Sequence, residues 1–137
     1  MKKRILVVDD QAEITQLLKR GLEETNDYVV REEHDSKAAL AAAAEFEPHL
    51  ILLDVMMPGM DGGDLAACLR ANPKLKAVPI VFLTGAVTKV EVEAMDGRIG
   101  GWPILAKPFA VPEVVACLKH HLSGAPRFLE LQTAASR

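Results

Sequence analysis

Hydrophobic and polar positions alternate along the chain between two kinds of segment. Arg4-Ile5-Leu6-Val7-Val8 is a short, nearly unbroken aliphatic run, as expected for a strand buried on both faces. Over residues 11–24, Ile14, Leu17, Leu18, Gly21 and Leu22 recur at i, i+3, i+4, i+7 and i+8, which predicts one helical stripe. Tyr28-Val29-Val30 predicts a second, weaker strand. Ser36 is placed to cap a helix that runs through Ala41–Ala44 to Phe46. His49-Leu50-Ile51-Leu52-Leu53 reads as a third strand ending at Asp54. A loop with Pro58, Gly59, Asp61 and Gly62 then leads to a helix with Leu65, Cys68 and Leu69 on one face, stopped near Asn72-Pro73. Pro79-Ile80-Val81-Phe82-Leu83 predicts a fourth strand ending at Thr84-Gly85. Thr88 can cap a short helix carrying Val92 and Met95, with a loose end at Gly97, Gly100 and Gly101. Residues 102–106 predict a fifth strand ending at Lys107-Pro108. The last helix covers about 111–122, with Val111, Val115, Leu118 and Leu122 on its stripe and Ser123-Gly124-Ala125-Pro126 after it. Five strands alternating with five helices imply an α/β fold: a doubly wound parallel sheet with helices on both faces.

Composition narrows the class without changing the elements. The chain has 137 residues, 50% of them hydrophobic and 26% charged, enough for one domain with a real core. Sixteen basic residues against nineteen acidic ones leave a net charge of −3 and no basic footprint for nucleic acid. No apolar run approaches the roughly 18–20 residues of a membrane helix. The apolar stretch behind Met1-Lys2-Lys3-Arg4 is cut off at Asp9-Asp10, too soon for a signal peptide, so a cytoplasmic protein is expected. Cys68 and Cys117 have no metal-like spacing and read as buried thiols. His34, His49, His120 and His121 have no metal-like spacing either.

The informative polar residues fall where strands end. Asp9 and Asp10 close the first, Asp54 the third, Thr84 the fourth and Lys107 the fifth. In an open parallel sheet those ends share one edge, the edge at which ligands bind. Each residue alone has a plainer reading: Asp9 or Asp10 as a helix N-cap, Asp54 or Thr84 as a turn residue, Lys107 as a surface charge. Together they gather three carboxylates, a hydroxyl and an ammonium in one cleft. Carboxylates so close repel unless a cation compensates, and few protein ligands with oxygen donors suit Mg²⁺.

These segments resemble the receiver domain of two-component response regulators over about residues 2–122. The resemblance rests on Ile5–Asp10, Leu52–Gly62, Val81–Ala86 and Lys107-Pro108-Phe109, in that order and spacing. It implies a flavodoxin-like strand order 2-1-3-4-5 and a division into a receiver, 1–122, and a C-terminal tail or linker stub, 123–137. Asp54 would be the phosphoacceptor for a phosphohistidine on a sensor histidine kinase or phosphotransfer protein. Asp9, Asp10, Asp54 and the backbone carbonyl of Met56 would hold Mg²⁺. Thr84 and Lys107 would contact the phosphoryl group. Pro58, Gly59, Gly62 and Gly85 would shape the loops, Pro108 would follow a cis peptide, and Met56 and Ala86 would tune phosphoryl lifetime. Many family members carry an aromatic switch residue where this chain has Ile104; the nearest aromatic is Trp102. Thr84 would then signal toward the helix-four and strand-five face through residues 97–101.

Other functions fit less well. An aspartate-nucleophile phosphatase or dehalogenase needs a second Asp two residues after the first, where this chain has Met56. A flavin site needs a hydroxyl- and glycine-rich loop after strand one, whereas Asp10-Gln11-Ala12-Glu13 repels phosphate. A nucleotide triphosphatase loop is missing, and a degenerate receiver that only docks would not keep every cleft residue. Met56, Met57 and Met60 could form a soft docking surface or pack locally. About fifteen residues after Leu122 are too few for an output domain, so output is expected from a face of this domain meeting a protein target or a second copy. The expected face is that of helix four, strand five and helix five, unless the chain is an excised part of a longer regulator.

Overall fold

The computed structural model describes residues 2–57, 59, 62–85, 89–94, 98–99 and 102–122. In chain order these form β1 (Lys3–Val8), α1 (Ala12–Glu23), β2 (Tyr28–Glu33), α2 (Ser36–Phe46), β3 (Leu50–Asp54), α3 (Gly62–Ala71), β4 (Ile80–Thr84), α4 (Lys89–Ala94), β5 (Arg98–Ile99), β6 (Trp102–Ala106) and α5 (Val111–Leu122). The sheet order is β2-β1-β3-β4-β6-β5. Its five long strands run parallel in the expected 2-1-3-4-5 arrangement. One strand was not foreseen. Arg98 and Ile99, expected in the loose end after helix four, pair antiparallel with Pro103 and Trp102.

Strict alternation within continuously apolar strands divides the core in two. Leu6 and Val8 face the layer built from Ala39, Ala42, Leu65 and Leu69 of α2 and α3. Ile5 and Val7 face Leu18 and Leu22 of α1 and Val114 and Leu118 of α5. Burial on both faces is what a parallel sheet requires, and each fully buried aliphatic side chain contributes about 1.5–3 kcal/mol. On the α2–α3 side, Trp102 meets Phe82 edge-on at 5.6 Å. The Arg70 guanidinium lies 4.8 Å from the centre of the Trp102 ring. Arg70 also donates to the carbonyls of Lys76 and Val78, tying the end of α3 to the approach to β4.

Several local expectations are corrected. The side chain that caps α2 is Asp35, which accepts from the Lys37 amide at 2.9 Å; Ser36 is the first helical residue. Leu17, placed on the buried stripe of α1, is 47% exposed, and buried Thr15 lies inside. Cys68 is exposed and Cys117 half-buried, so neither is a fully buried thiol. Burial pushes the Cys117 thiol up to about 11, which leaves it inert. Pro58, Met60, Asp61, Ala86, Thr88, Met95, Gly97, Gly100, Gly101 and the 123–137 tail lie outside the described residues.

Candidate functional site

Register fixes the site. Val8 pairs with Leu53, so the next residues, Asp9 and Asp54, emerge side by side. Thr84 pairs with Ala106, so Lys107 leaves the neighbouring strand level with it. The turns are locked by the backbone: the Asp9 amide donates to the Glu33 carbonyl at 3.0 Å, that of Val55 to Leu83 at 3.1 Å and that of Lys107 to Thr84 at 2.8 Å. The Lys107–Pro108 bond is cis.

The loop after β3 closes back on its own strand. The Gly62 amide donates to the Val55 carbonyl at 2.8 Å. A Cβ on Gly62 would lie 2.4 Å from the Asp54 carbonyl oxygen, so this backbone approach admits glycine alone. Gly59 adopts a φ of +88°, the region that glycine occupies without penalty. Gly85 is not demanded by packing, since a Cβ there would meet nothing closer than Lys107 Cβ at 4.0 Å.

Asp9, Asp54 and Thr84 are buried, while Asp10 is exposed. One carboxylate oxygen from each of the three aspartates lies within 4.8 Å of the others, a set that could hold a metal ion. Lys107 Nζ sits among them, 2.7 Å from Asp9 Oδ2 and 3.7 Å from Asp54 Oδ2, and donates to Gln11 Oε1 at 3.0 Å. The other Asp9 oxygen accepts from the Gln11 amide at 2.9 Å, and Asp54 Oδ1 accepts from the Met56 amide at 3.3 Å.

One ammonium does not balance three carboxylates. Burial, and then the charge of Asp9, raise Asp54 from 3.8 to about 6, against the opposing pull of Lys107 and the Met56 amide. The donors are hard oxygens, and an added cation would relieve this repulsion, so the residues fit Mg²⁺. An open pocket of about 430 Å³ in front of Asp54 is lined by Asp10, Gln11, Met56, Thr84, Gly85 and Lys107. The arrangement therefore presents a buried carboxylate with an ammonium on one side and an open pocket in front of it.

The structure brings together Asp9, Asp10, Asp54, Thr84 and Lys107 as the strand ends predict. Ile104 is buried beside Phe82 and Trp102, away from the pocket lining. Of the methionines, Met57 is packed in the core, whereas Met56 is 68% exposed at the pocket. Sequence reasoning missed Gln11, which entered only as part of a segment hostile to phosphate. An available signal was a long amide where a helix start favours Ser, Thr, Asp or Asn.

Comparison with known proteins bears on the family and the fold. The family model for the response regulator receiver domain matches residues 5–119. The DNA-binding response regulator MtrA of Mycobacterium tuberculosis is 40% identical over 123 residues, which cover 89% of this chain and 51% of MtrA. The transcriptional regulatory protein ResD of Bacillus subtilis is likewise 40% identical over 123 residues, 89% of this chain and 49% of ResD. The chain thus spans about half the length of the curated relatives it matches. Among solved structures, the chemotaxis protein CheY4 of Vibrio cholerae superposes with a TM-score of 0.76 at 28% identity, covering 89% of this chain and all of that one.

Proposed function

Because the chain belongs to the response regulator receiver domain family, we propose that it is a phosphorylation-controlled signalling module with Asp54 as phosphoacceptor. The donor would be a phosphohistidine on a sensor histidine kinase or histidine phosphotransfer protein. The observation that supports this most directly is Asp54 itself: a carboxylate only 5% exposed, facing a pocket, with an ammonium 3.7 Å away. An Asp54 oxygen forms the new P–O bond as the P–N bond to the donor imidazole breaks. The electron pair of that bond stays on the imidazole, which takes up a proton.

Catalysis of such a transfer is mostly positioning and stabilisation of charge on the equatorial oxygens. Lys107 supplies a fixed cation and Thr84 a hydroxyl donor on the adjacent strand end. Asp9, Asp10, Asp54 and the Met56 carbonyl would hold Mg²⁺, which when bound supplies further neutralising charge. Met56 at the pocket mouth, with Ala86, would tune the lifetime of the acyl phosphate. The test is labelling by acetyl phosphate with Mg²⁺: Asp54→Asn abolishes it, and persistent labelling of that variant would refute the assignment.

Residues 1–122 would be the receiver and 123–137 a tail or linker stub, working in the cytoplasm without direct contact to nucleic acid or membrane. No described helix is long and apolar enough to cross a membrane. Output would come from the α4–β6–α5 face meeting a protein target or a second copy. With Ile104 at the usual aromatic position, the route from Thr84 would run along β4 and β6 into the β5–β6 pairing. Support comes from the edge-on contact of Phe82, two residues before Thr84, with Trp102, whose backbone pairs with Ile99. Beryllofluoride with Mg²⁺ should shift backbone resonances over residues 88–106; shifts confined to the pocket would remove this route.

A further inference from the structure

Gln11 occupies the N-cap of α1 with extended backbone angles, φ −87° and ψ 101°, yet its side chain makes no capping hydrogen bond. That position favours a short polar side chain that closes onto the free amides of the first turn. Here the side chain turns the other way and accepts from Lys107 Nζ at 3.0 Å, across 96 positions of sequence. An ammonium has three donors. One is spent on Asp9 Oδ2 at 2.7 Å and one on Gln11, and the remaining side of the group lies 3.7 Å from Asp54 Oδ2.

We propose that Gln11 is a positioning residue for Lys107, its side-chain carbonyl holding the ammonium at the pocket so that it faces Asp54 rather than solvent. The amide suits this task because it binds a cation without adding a fourth negative charge to the aspartate cluster. If Asp9 held a cation, Lys107 would share that carboxylate with it, and Gln11 would be the neutral acceptor that keeps the lysine in place. The inference rests on Asp54 being the phosphoacceptor and adds how the lysine opposite it is aimed.

Replacing Gln11 with Ser separates positioning from fold stability. Gln11→Ser supplies the missing cap and should raise Tm by about 3 °C. It should also slow labelling of Asp54 by acetyl phosphate at saturating Mg²⁺ about three- to tenfold. In the metal-free, unphosphorylated protein, the ¹⁵N resonance of the Lys107 ammonium should broaden through faster proton exchange in Gln11→Ser and Gln11→Ala, and stay sharp in Gln11→Glu. An unchanged ammonium resonance, with or without slower labelling, overturns the proposal. So does a variant that loses Tm and labelling in parallel. Failure of the wild type to label on Asp54 would refute the phosphoacceptor instead, while the ammonium resonance still decides the role of Gln11.

Discussion

The two ends of the same strands are in opposite electrostatic states. Where β1 and β3 begin, donors meet neutral acceptors: the Arg4 amide donates to His49 Nδ1 at 2.9 Å and the His49 amide to the Arg4 carbonyl at 2.7 Å. Arg4 Nε donates to the carbonyls of Phe46 and Glu47, where α2 ends in a left-handed residue with φ +53°. Where the strands finish, three carboxylates cluster, one ammonium pairs with Asp9 and Asp54, and Asp54 is pushed up to about 6. The starting edge is satisfied without a ligand. The finishing edge carries a tension that a cation would relieve, so the same sheet holds the fold at one end and stores reactivity at the other.

The largest effect should come from Gly62→Ala, which forces a Cβ against the Asp54 carbonyl oxygen. A loss of about 2–3 kcal/mol is expected in urea unfolding, together with loss of Asp54 labelling. Asp54→Asn should do the reverse to stability. The folded-state value of Asp54 lies above its unfolded one, so the folded protein binds more protons between roughly pH 4 and 6 and loses stability as pH rises through that window. Removing the charge should therefore stabilise the metal-free protein by about 1–3 kcal/mol at pH 7.5, a gain that shrinks toward pH 4.5 in thermal melts.

At the opposite edge, Arg4→Ala should cost about 1–2 kcal/mol at pH 8 by freeing two carbonyls, less at pH 5 because the lost charge also relaxes His49, and leave Asp54 labelling intact. The smallest effect belongs to His49. Burial, and then the charges of Arg4 and Lys3, hold its imidazole below the ordinary value. Its contribution is present above pH 6.5 and is lost as pH falls through the lowered value, opposite in sign to Asp54. Melting His49→Gln from pH 7.5 to 5 should show a shallower decline than the wild type once Asp54→Asn is present in both.

The strands were legible because burial on both faces writes an unbroken aliphatic run, and the site was legible because the polar residues that end those runs must share an edge. Side chains whose partners lie far away in sequence were not. The α1 period places Leu17 beside Leu18, but the helix turns only Thr15, Leu18 and Leu22 fully inward and leaves Leu17 at the margin. Asp35 and Ser36 are both good caps, and the backbone path, not residue type, chose Asp35. Two residues were too few to announce β5, and a long amide at a helix start marks Gln11 as unusual without pointing to Lys107, 96 positions away.

The ion pair between Asp9 and Lys107 closes across 98 positions of sequence, nearly the whole span of the fold. Contacts of that separation carry a high loop-closure cost and form only when the intervening elements have packed. During synthesis Asp9, Asp10 and Asp54 leave the ribosome before the lysine that opposes them, and β6 must dock beside β4 to bring it in. A chain that has not finished folding thus holds carboxylates but no opposing ammonium. The pocket therefore exists only once β6 has docked beside β4, and its chemistry reports that this pairing has formed.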